Sequence, residues 1–274
     1  MEIEAKLSDE LYKKFRELFY KRTGIYLKDY KKYLVEYRLL KFVGPGRRFN
    51  SFEDLYNAIE NDKTGGLTKE FVNSLTTNYT YFFREEVHFD FLKNYLRQNI
   101  HKEPYIRFWS AGCSTGEEAY SISISCFEAV ENPFDYDLKI LATDISLKVI
   151  EVANQGIYHY NRMLKGSIED KILKRYFIFD RENKDFILKD EVKRLVAFRY
   201  LNLMDNYPFK KKFDIVFLRN VLIYFDIEEK EYILDKIFDV IKDNGYMILG
   251  LSESLVGVKH KFQILKNSIY HKRY

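Results

Sequence analysis

The chain has 274 residues, of which 46% are hydrophobic, and its formal net charge at pH 7 is +4. A chain of this length can bury a sizeable core in one large or two modest domains. So mild a net charge does not indicate nucleic acid as a partner.

Cysteine, histidine and hydropathy patterns narrow the class of protein further. The two cysteines, Cys113 and Cys126, are too few for a disulfide framework and are predicted to be free thiols. The five histidines are scattered without metal-ligand spacing, so no metal site is predicted. No apolar run approaches the roughly 20 residues that cross a bilayer, and the N-terminal MEIEAKLSDE is too polar for a signal peptide. We therefore expect a cytoplasmic protein without direct membrane insertion.

Helical patterns fill residues 1–77. The first helix follows a polar N-cap, carries one apolar stripe and ends at Gly24. A second helix is predicted from about Lys28 to Lys41. A third begins at Ser51 with the spacing of a capping box, and a fourth runs from Thr68 to Leu75. The sequence thus predicts a small all-α N-terminal domain.

The same region is rich in basic residues. A run of this kind is most often a solvated helix face in a lysine-rich protein, and a docking surface for an acidic partner is the alternative. The basic residues are Lys13, Lys14, Arg16, Lys21, Arg22, Lys28, Lys31, Lys32, Arg38, Lys41, Arg47 and Arg48.

The stretch FWSAGCSTGEEAYS, residues 108–121, predicts a strand, a tight loop and a helix. In open α/β sheets this junction is where the backbone approaches a ligand closely. The glycines do not form G-x-G-x-x-G, and Glu117 and Glu118 at the helix start would repel a pyrophosphate. A cationic or zwitterionic ligand fits better, and S-adenosylmethionine is the candidate. A short loop before a core helix is the alternative interpretation.

Two further apolar strands end in polar residues. The segment Leu138–Asp144 ends in a carboxylate, which accepts ribose hydroxyls in nucleotide-type folds. The alternative is a helix N-cap at Asp144, or one made by Ser146. The segment Phe213–Leu218 is followed by Arg219 and Asn220 and then by an apolar run predicted to be helical. Three strands thus deliver polar groups at their carboxyl ends, where α/β sheets bind ligands.

From about Glu86 onward, predicted strands and helices alternate as in a parallel sheet with crossovers. The alternation changes between Tyr176 and Phe198, where YFIFD and DFILK flank the polar RENK and predict a hairpin. We predict an α/β domain over residues 78–274 with a small β-subdomain near 176–198.

Six motifs occur in order along the chain. They are TTNYTYFFRE (76–85), WSAGCSTGEEAYS (109–121), ATDIS (142–146), ANQGIY (153–158), LNL (201–203) and RNVLIYFD (219–226). In this order they resemble the CheR methyltransferases, and the resemblance runs from about Thr23 to the C-terminus. Tyr79 and Tyr81 are bulkier than expected for the family, and Cys113 stands where a smaller residue is common.

The resemblance implies a class I (Rossmann-like) S-adenosylmethionine methyltransferase domain with a small β-subdomain insertion, preceded by an all-α N-terminal domain. It also implies an enzyme that methylates glutamates on bacterial chemoreceptors, with S-adenosylmethionine as cofactor and S-adenosylhomocysteine as product. The partner would be the cytoplasmic helical bundle of transmembrane chemoreceptors. The basic residues of the helical domain would then dock acidic receptor helices.

Site residues follow from the same resemblance. It implies catalytic roles for Arg84 and Tyr224, which both can donate to a carboxylate. From residue types alone, Arg84 could instead pair with Glu85 or Glu86, and Tyr224 could be a core aromatic. The cofactor-binding residues implied are Asn78, Thr80, Arg84, Glu118, Asp144, Asn202, Leu203, Arg219 and Asn220.

The absence of a catalytic histidine or cysteine constellation suits a carboxylate acceptor. A glutamate is already deprotonated at neutral pH, because its unperturbed pKa is about 4.3, so transfer to it needs no general base. Two other functions stay open at this point. One is a methyltransferase acting on a small molecule or RNA, and the other is a cofactor-binding regulator without catalysis.

Overall fold

The computed structural model describes residues 6–166 and 168–273 and starts with a helical domain. Helix α1 begins after Ser8, whose side chain accepts a hydrogen bond from the Leu11 amide at 3.1 Å, and it ends at Gly24 in the left-handed conformation. The side chain of Ser51 opens α3 with a complete capping box, as predicted. The helices of this domain are α1 (Asp9–Thr23), α2 (Lys32–Leu39), α3 (Phe52–Glu60) and α4 (Gly66–Leu75), with a turn of 3-10 helix at Asp29–Lys31 before α2.

The second helix is shorter than predicted. It begins as 3-10 helix at Asp29, becomes an α-helix at Lys32 and ends at Leu39. The four helices enclose a core of their own, in which the ring centre of Phe71 lies 5.7 Å from that of Phe15 and 5.9 Å from that of Phe19. The helical domain therefore has a hydrophobic interior separate from the sheet that follows.

A seven-stranded sheet forms the second domain, with strand order β6-β2-β1-β7-β8-β10-β9. The strands β6, β2, β1, β7 and β8 are parallel, and β10 and β9 continue the sheet antiparallel. The strand order reverses between β1 and β7, which makes the crevice between them the expected ligand site. The strands are β1 (Ile106–Ala111), β2 (Leu138–Asp144), β6 (Val196–Tyr200), β7 (Phe213–Phe217), β8 (Ile241–Ile248), β9 (Gln263–Ile264) and β10 (Ile269–His271).

Helices lie in the connections from β1 to β2, from β2 to β6 and from β7 to β8, and one helix of this domain precedes β1. Every residue of β7 is buried, as expected of a strand covered on both faces. The main helices of this domain are α5 (Val87–Asn99), α6 (Glu117–Ala129), α7 (Leu147–Gln155) and α11 (Ile227–Val240). Within the described residues, no helix is both long and apolar enough to span a membrane.

A small three-stranded antiparallel sheet is inserted between β2 and β6. It has the order β3-β5-β4, in which Phe177–Asp180 (β4) and Asp185–Leu188 (β5) form the hairpin and Ile157–His159 (β3) adds a strand that the sequence did not indicate. Phe198 lies in β6 of the large sheet, so the small sheet ends earlier than the predicted limit of residue 198. Short helices accompany these strands: α8 (Tyr160–Met163), α9 (Asp170–Tyr176) and α10 (Asp190–Arg194).

Candidate functional site

A cavity of about 280 Å³ lies between the helical domain and the carboxyl ends of β1, β2 and β7. This volume is near the lower end of the range for small-molecule sites. All ten side chains predicted to bind cofactor or to act in catalysis line this one cavity: Asn78, Thr80, Arg84, Glu118, Asp144, Asn202, Leu203, Arg219, Asn220 and Tyr224. The helical domain contributes a wall that the sequence did not indicate, including Phe19, Thr23, Ile25, Leu27, Lys31 and Leu34.

The loop after β1 reaches the cavity in a conformation that requires glycine. Gly112 and Gly116 have φ angles of 85° and 95°, and Ser114 between them also has a positive φ of 51°. A Cβ atom on Gly112 would lie 2.5 Å from Cγ2 of Val221. Residues 112–116 are hereafter called the cofactor loop. Its backbone conformation and its close packing both require glycine at positions 112 and 116.

Asp144 is held at the end of β2 by backbone donors. The amides of Ser114 and Ser146 each donate to one of its carboxylate oxygens at 2.9 Å. Burial raises the pKa of Asp144, and these backbone donors oppose the rise. The N-cap position of α7 is occupied by Ser146, so Asp144 is not the N-cap of that helix. It is a buried carboxylate that orients the cofactor loop and lines the cavity.

Glu118, which is partly buried, and Arg219, which is buried, form an ion pair in the cavity wall. Nη1 of Arg219 donates to Glu118 at 3.0 Å, and the hydroxyl of Ser110 donates to the other carboxylate oxygen at 2.7 Å. Nη2 of Arg219 donates to Glu85 at 3.0 Å and also to the carbonyl of Arg84. Burial raises the pKa of Glu118, and Arg219 opposes the rise. Glu85, which the sequence did not assign to the site, thus ties Arg219 to the chain that carries Arg84.

The Nε atom of Arg219 is a buried donor with no hydrogen-bond partner among the described residues. An unpaired buried donor carries a desolvation penalty, and native structures rarely leave one without a function. Arg219 also lines the cavity, but the Nε atom itself is covered by the surrounding protein.

Arg84 lies in a strained segment, and its guanidinium forms no ion pair with any residue that the structure describes. Its neighbours Phe83 and Glu85 have φ angles of 54° and 59°, which are unfavourable for residues other than glycine. The Arg84 guanidinium contacts the carbonyl of Tyr79 at 3.4 Å and lies 5.8 Å from the ring centre of Tyr81. Within residues 6–166 and 168–273, no carboxylate oxygen lies within 4.0 Å of it. The alternative in which Arg84 pairs with Glu85 is therefore wrong, since that carboxylate binds Arg219.

Tyr224 is half-buried and surrounded by cations. Burial raises the pKa of its hydroxyl, and the nearby guanidinium groups of Arg84 and Arg38 oppose this rise. Nζ of Lys31, from the helical domain, lies 5.9 Å from the centre of the Tyr224 ring. The amide of Tyr26 donates to the Tyr224 carbonyl at 3.2 Å. The helical domain thus contacts both the backbone and the ring of this residue.

The chain around Tyr224 differs from the predicted helical run. Asn220 has a positive φ of 57°, and its backbone N–H donates to the buried carboxylate of Glu253 at 2.5 Å. Because of this turn, no helix begins directly after Asn220. Only one turn of 3-10 helix follows, at Leu222–Tyr224, and α11 begins later, at Ile227.

Asn202 joins the two domains at the cavity wall. Its Nδ2 donates to the carbonyl of Arg22 at 3.1 Å, and its Oδ1 accepts from the Met204 amide at 3.0 Å. Its amide group is therefore committed to protein contacts. Leu203, which follows, is buried and presents an apolar surface to the cavity.

Several basic residues of the helical domain are not free surface charges. Arg38 donates to the carbonyls of Leu75 and Thr76, at the end of α4, and Lys32 binds Asp9 at 2.5 Å. Lys31, by contrast, forms no ion pair in the described part of the chain and lines the cavity.

Comparison with known proteins decides the family. Residues 10–76 match the family model described as the CheR methyltransferase all-alpha domain, and residues 78–271 match the CheR methyltransferase SAM binding domain, SAM being S-adenosylmethionine. The chain belongs to the CheR methyltransferase family. The predicted resemblance and the α/β fold preceded by an all-α domain are thereby confirmed. This CheR-family protein is an S-adenosylmethionine-dependent methyltransferase.

Curated relatives resemble the CheR-family protein along nearly its whole length. A chemotaxis protein methyltransferase of Borreliella burgdorferi is 38% identical over 255 residues, covering 89% of this chain and 88% of that protein. One from Vibrio parahaemolyticus is 36% identical, covering 95% and 94% respectively. One from Escherichia coli is 32% identical, covering 96% and 91%.

Proposed function

We propose that this CheR-family protein transfers a methyl group from S-adenosylmethionine to glutamate side chains of chemoreceptors, yielding a glutamate methyl ester and S-adenosylhomocysteine. The observation that carries the proposal is one cavity that brings together two carboxylates, Glu118 and Asp144, and the Arg84 guanidinium, which has no ion pair among the described residues and lies near the Tyr224 phenol. The names of the relatives, chemotaxis protein methyltransferases, support chemotaxis as the process.

The cofactor end of the cavity fits S-adenosylmethionine. When bound, this cofactor supplies an electrophilic methyl group on a positively charged sulfur. Glu118 would accept from its ammonium group, and Asp144 would accept from the ribose hydroxyls through lone pairs that the two backbone donors leave free. The Arg219 guanidinium, which lines the cavity, would bring a positive charge near the carboxylate of the methionine portion. Asn202 and Leu203 would border the adenine, with Asn78, Thr80 and Asn220 completing the lining.

The acceptor end of the cavity fits a glutamate side chain. Arg84 would bind its carboxylate through charge-assisted hydrogen bonds and keep the carboxylate pKa low. Tyr224 would donate a further hydrogen bond, because its raised pKa keeps the phenol protonated at neutral pH. The carboxylate is already an anion, so these residues orient it and no general base is needed.

We further propose that the domain boundary lies near residue 77, with residues 1–77 placed against the receptor and residues 78–274 carrying the reaction. The partner is the cytoplasmic helical bundle of the chemoreceptors, which places the protein in the cytoplasm. Lys31 supports this arrangement, because it brings a positive charge from the helical domain to the cavity that takes the glutamate.

The proposal is tested with methyl-labelled S-adenosylmethionine and membranes that contain chemoreceptors. We expect label on receptor protein, released by mild base as expected of a methyl ester, and absent with an Arg84→Ala variant. Receptors whose methylated glutamates are replaced by alanine are the matched control. Label on RNA or on a small molecule, or no label on any fraction, contradicts the proposal.

A further inference from the structure

The small sheet contacts the cofactor loop from the side away from the cavity. Nε of Arg162, on α8, donates to Oε1 of Glu117 at 2.5 Å, and its Nη2 donates to the Thr115 hydroxyl. That hydroxyl in turn donates to Oε2 of Glu117 at 2.7 Å. The Glu117 side chain is 1% exposed and that of Arg162 is 30% exposed. A charge from α8, the helix that follows β3 of the small sheet, is thus paired with a buried carboxylate at the start of α6.

A second contact from the small sheet reaches the same loop. The hydroxyl of Tyr158, a buried residue of β3, donates to the carbonyl of Thr115 at 2.8 Å. A Cβ atom on Gly116 would lie 3.1 Å from this hydroxyl and 2.8 Å from Cβ of Ala153. Thr115 is therefore held at its side chain by Arg162 and at its carbonyl by Tyr158.

The residues next to Thr115 and Glu117 face the cavity. Ser114 donates its amide to Asp144, and Glu118 pairs with Arg219 in the cavity wall. Thr115, Glu117 and Arg162 are not among the residues that line the cavity. A displacement of Thr115 and Glu117 would therefore shift the carboxylates of Asp144 and Glu118 without removing any group that lines the cavity.

We propose that Arg162 is a positioning residue, which acts through Glu117 and Thr115 to hold the cofactor loop in the shape that binds S-adenosylmethionine. The small sheet thereby sets the affinity for the cofactor. This inference deepens the proposed function, on which it rests for the identity of the cofactor.

The burial of Glu117 explains why one arginine has this effect. Burial raises the pKa of Glu117, and Arg162 is the first of the groups that oppose the rise. Removing one partner of a buried ion pair leaves the other charge uncompensated, and the surrounding structure must shift or admit water to accommodate it. Ser114 has a positive φ of 51°, a conformation that persists only where surrounding contacts hold it, so the cofactor loop is sensitive to the loss of such contacts.

Calorimetric titration with S-adenosylhomocysteine tests the proposal on the full-length protein. For Arg162→Gln we expect binding at least ten-fold weaker than wild type, and a single-turnover methylation rate at saturating S-adenosylmethionine within two-fold of wild type. Arg162→Lys, which keeps the charge, should recover most of the affinity. The double variant with Glu117→Gln should bind no more weakly than Arg162→Gln alone, because a neutral amide side chain in place of the carboxylate needs no cation.

The matched control is Arg175→Gln. Arg175, on α9 beside the small sheet, pairs at 3.1 Å with Glu128, a partly buried carboxylate that does not line the cavity, and we expect unchanged cofactor affinity. Wild-type affinity in Arg162→Gln, or effects of Arg162→Gln and Glu117→Gln that simply add, overturns the proposal. If Arg162→Gln does not fold, the comparison is made with Arg162→Lys and Glu117→Gln. Wild-type protein that fails to bind S-adenosylhomocysteine contradicts the proposed function instead.

Discussion

Replacing Tyr224 by phenylalanine separates catalysis from binding. The change keeps the ring beside Lys31 and removes only the hydroxyl. Among the described residues that hydroxyl has no hydrogen-bond partner, so its removal leaves no buried group unpaired. We therefore expect the free energy of unfolding to change by less than about 0.5 kcal/mol, as for a surface substitution.

The rate of methyl transfer should respond strongly. The hydroxyl is proposed to orient the acceptor carboxylate, and a misplacement of reacting groups by about 1 Å can cost roughly 100-fold in rate, so we expect a loss of rate of about 10- to 100-fold. The affinity for S-adenosylhomocysteine should stay near wild type, because the hydroxyl is assigned to the acceptor end of the cavity.

Single-turnover methylation of receptors at saturating S-adenosylmethionine measures this rate without interference from product release. Tyr232→Phe is the matched control, since Tyr232 is 45% exposed on α11, does not line the cavity and also has no partner for its hydroxyl in the described part of the chain. A Tyr224→Phe variant with the wild-type single-turnover rate would refute the catalytic role and leave Tyr224 as a packing residue.

Three further outcomes follow from the structure. Asp144→Ala should weaken binding of S-adenosylhomocysteine by roughly 10- to 150-fold, because about 1.5–3 kcal/mol of charge-assisted hydrogen bonding is lost; an unchanged dissociation constant in calorimetry would remove Asp144 from the site. Lys31→Met should slow receptor methylation and leave cofactor affinity unchanged, and equal losses in both assays would contradict its place at the acceptor end. His88 is buried, and its pKa is lowered to about 4, mainly by burial and also by the nearby charge of Arg219. Between pH 6.5 and 4 the unfolded state therefore binds more protons than the folded state. Stability should therefore fall by up to about 3 kcal/mol as the pH is lowered through this window, and urea titrations of His88→Gln should show a smaller fall.

Features fixed by local sequence were predictable. The N-cap at Ser8, the left-handed end at Gly24 and the capping box at Ser51 each depend on residues a few positions apart. The strands that end at Ala111 and Asp144 were also evident, because buried parallel strands are continuous apolar runs bounded by polar residues.

Features fixed by long-range packing were not predictable from the pattern. Glu85 was expected only as a possible partner for Arg84, yet its carboxylate pairs with Arg219, 134 positions away in the sequence. Arg162 and Glu117 are 45 positions apart, and nothing local marks them as a pair. The apolar run after Asn220 looks helical by composition, but Glu253 holds the Asn220 amide in a turn.

The basic segment of the helical domain shows the same limit. The family resemblance implies that these basic residues form one docking surface, which a triple reversal of Lys31, Lys32 and Arg38 would be expected to test. The structure assigns these residues different tasks, since Lys32 pairs with Asp9, Arg38 binds the end of α4 and Lys31 lines the cavity. Single substitutions at Lys31 are therefore more informative than the triple reversal.

The cavity is lined by fixed charges of both signs, and this constrains how the site speeds the reaction. Glu118, paired with Arg219, and Asp144 lie toward the cofactor loop, whereas Arg84 and Lys31 lie near Tyr224. Transfer of a methyl cation to a carboxylate neutralises both reactants, so fixed charges that stabilise the separate ions favour the ground state over the less charged transition state. Their benefit must then come from orientation, since holding reacting atoms in line can contribute several kcal/mol. Under the proposed function the helical domain would contribute to this alignment, because its Tyr26 amide donates to the Tyr224 carbonyl and Nζ of its Lys31 lies over the Tyr224 ring.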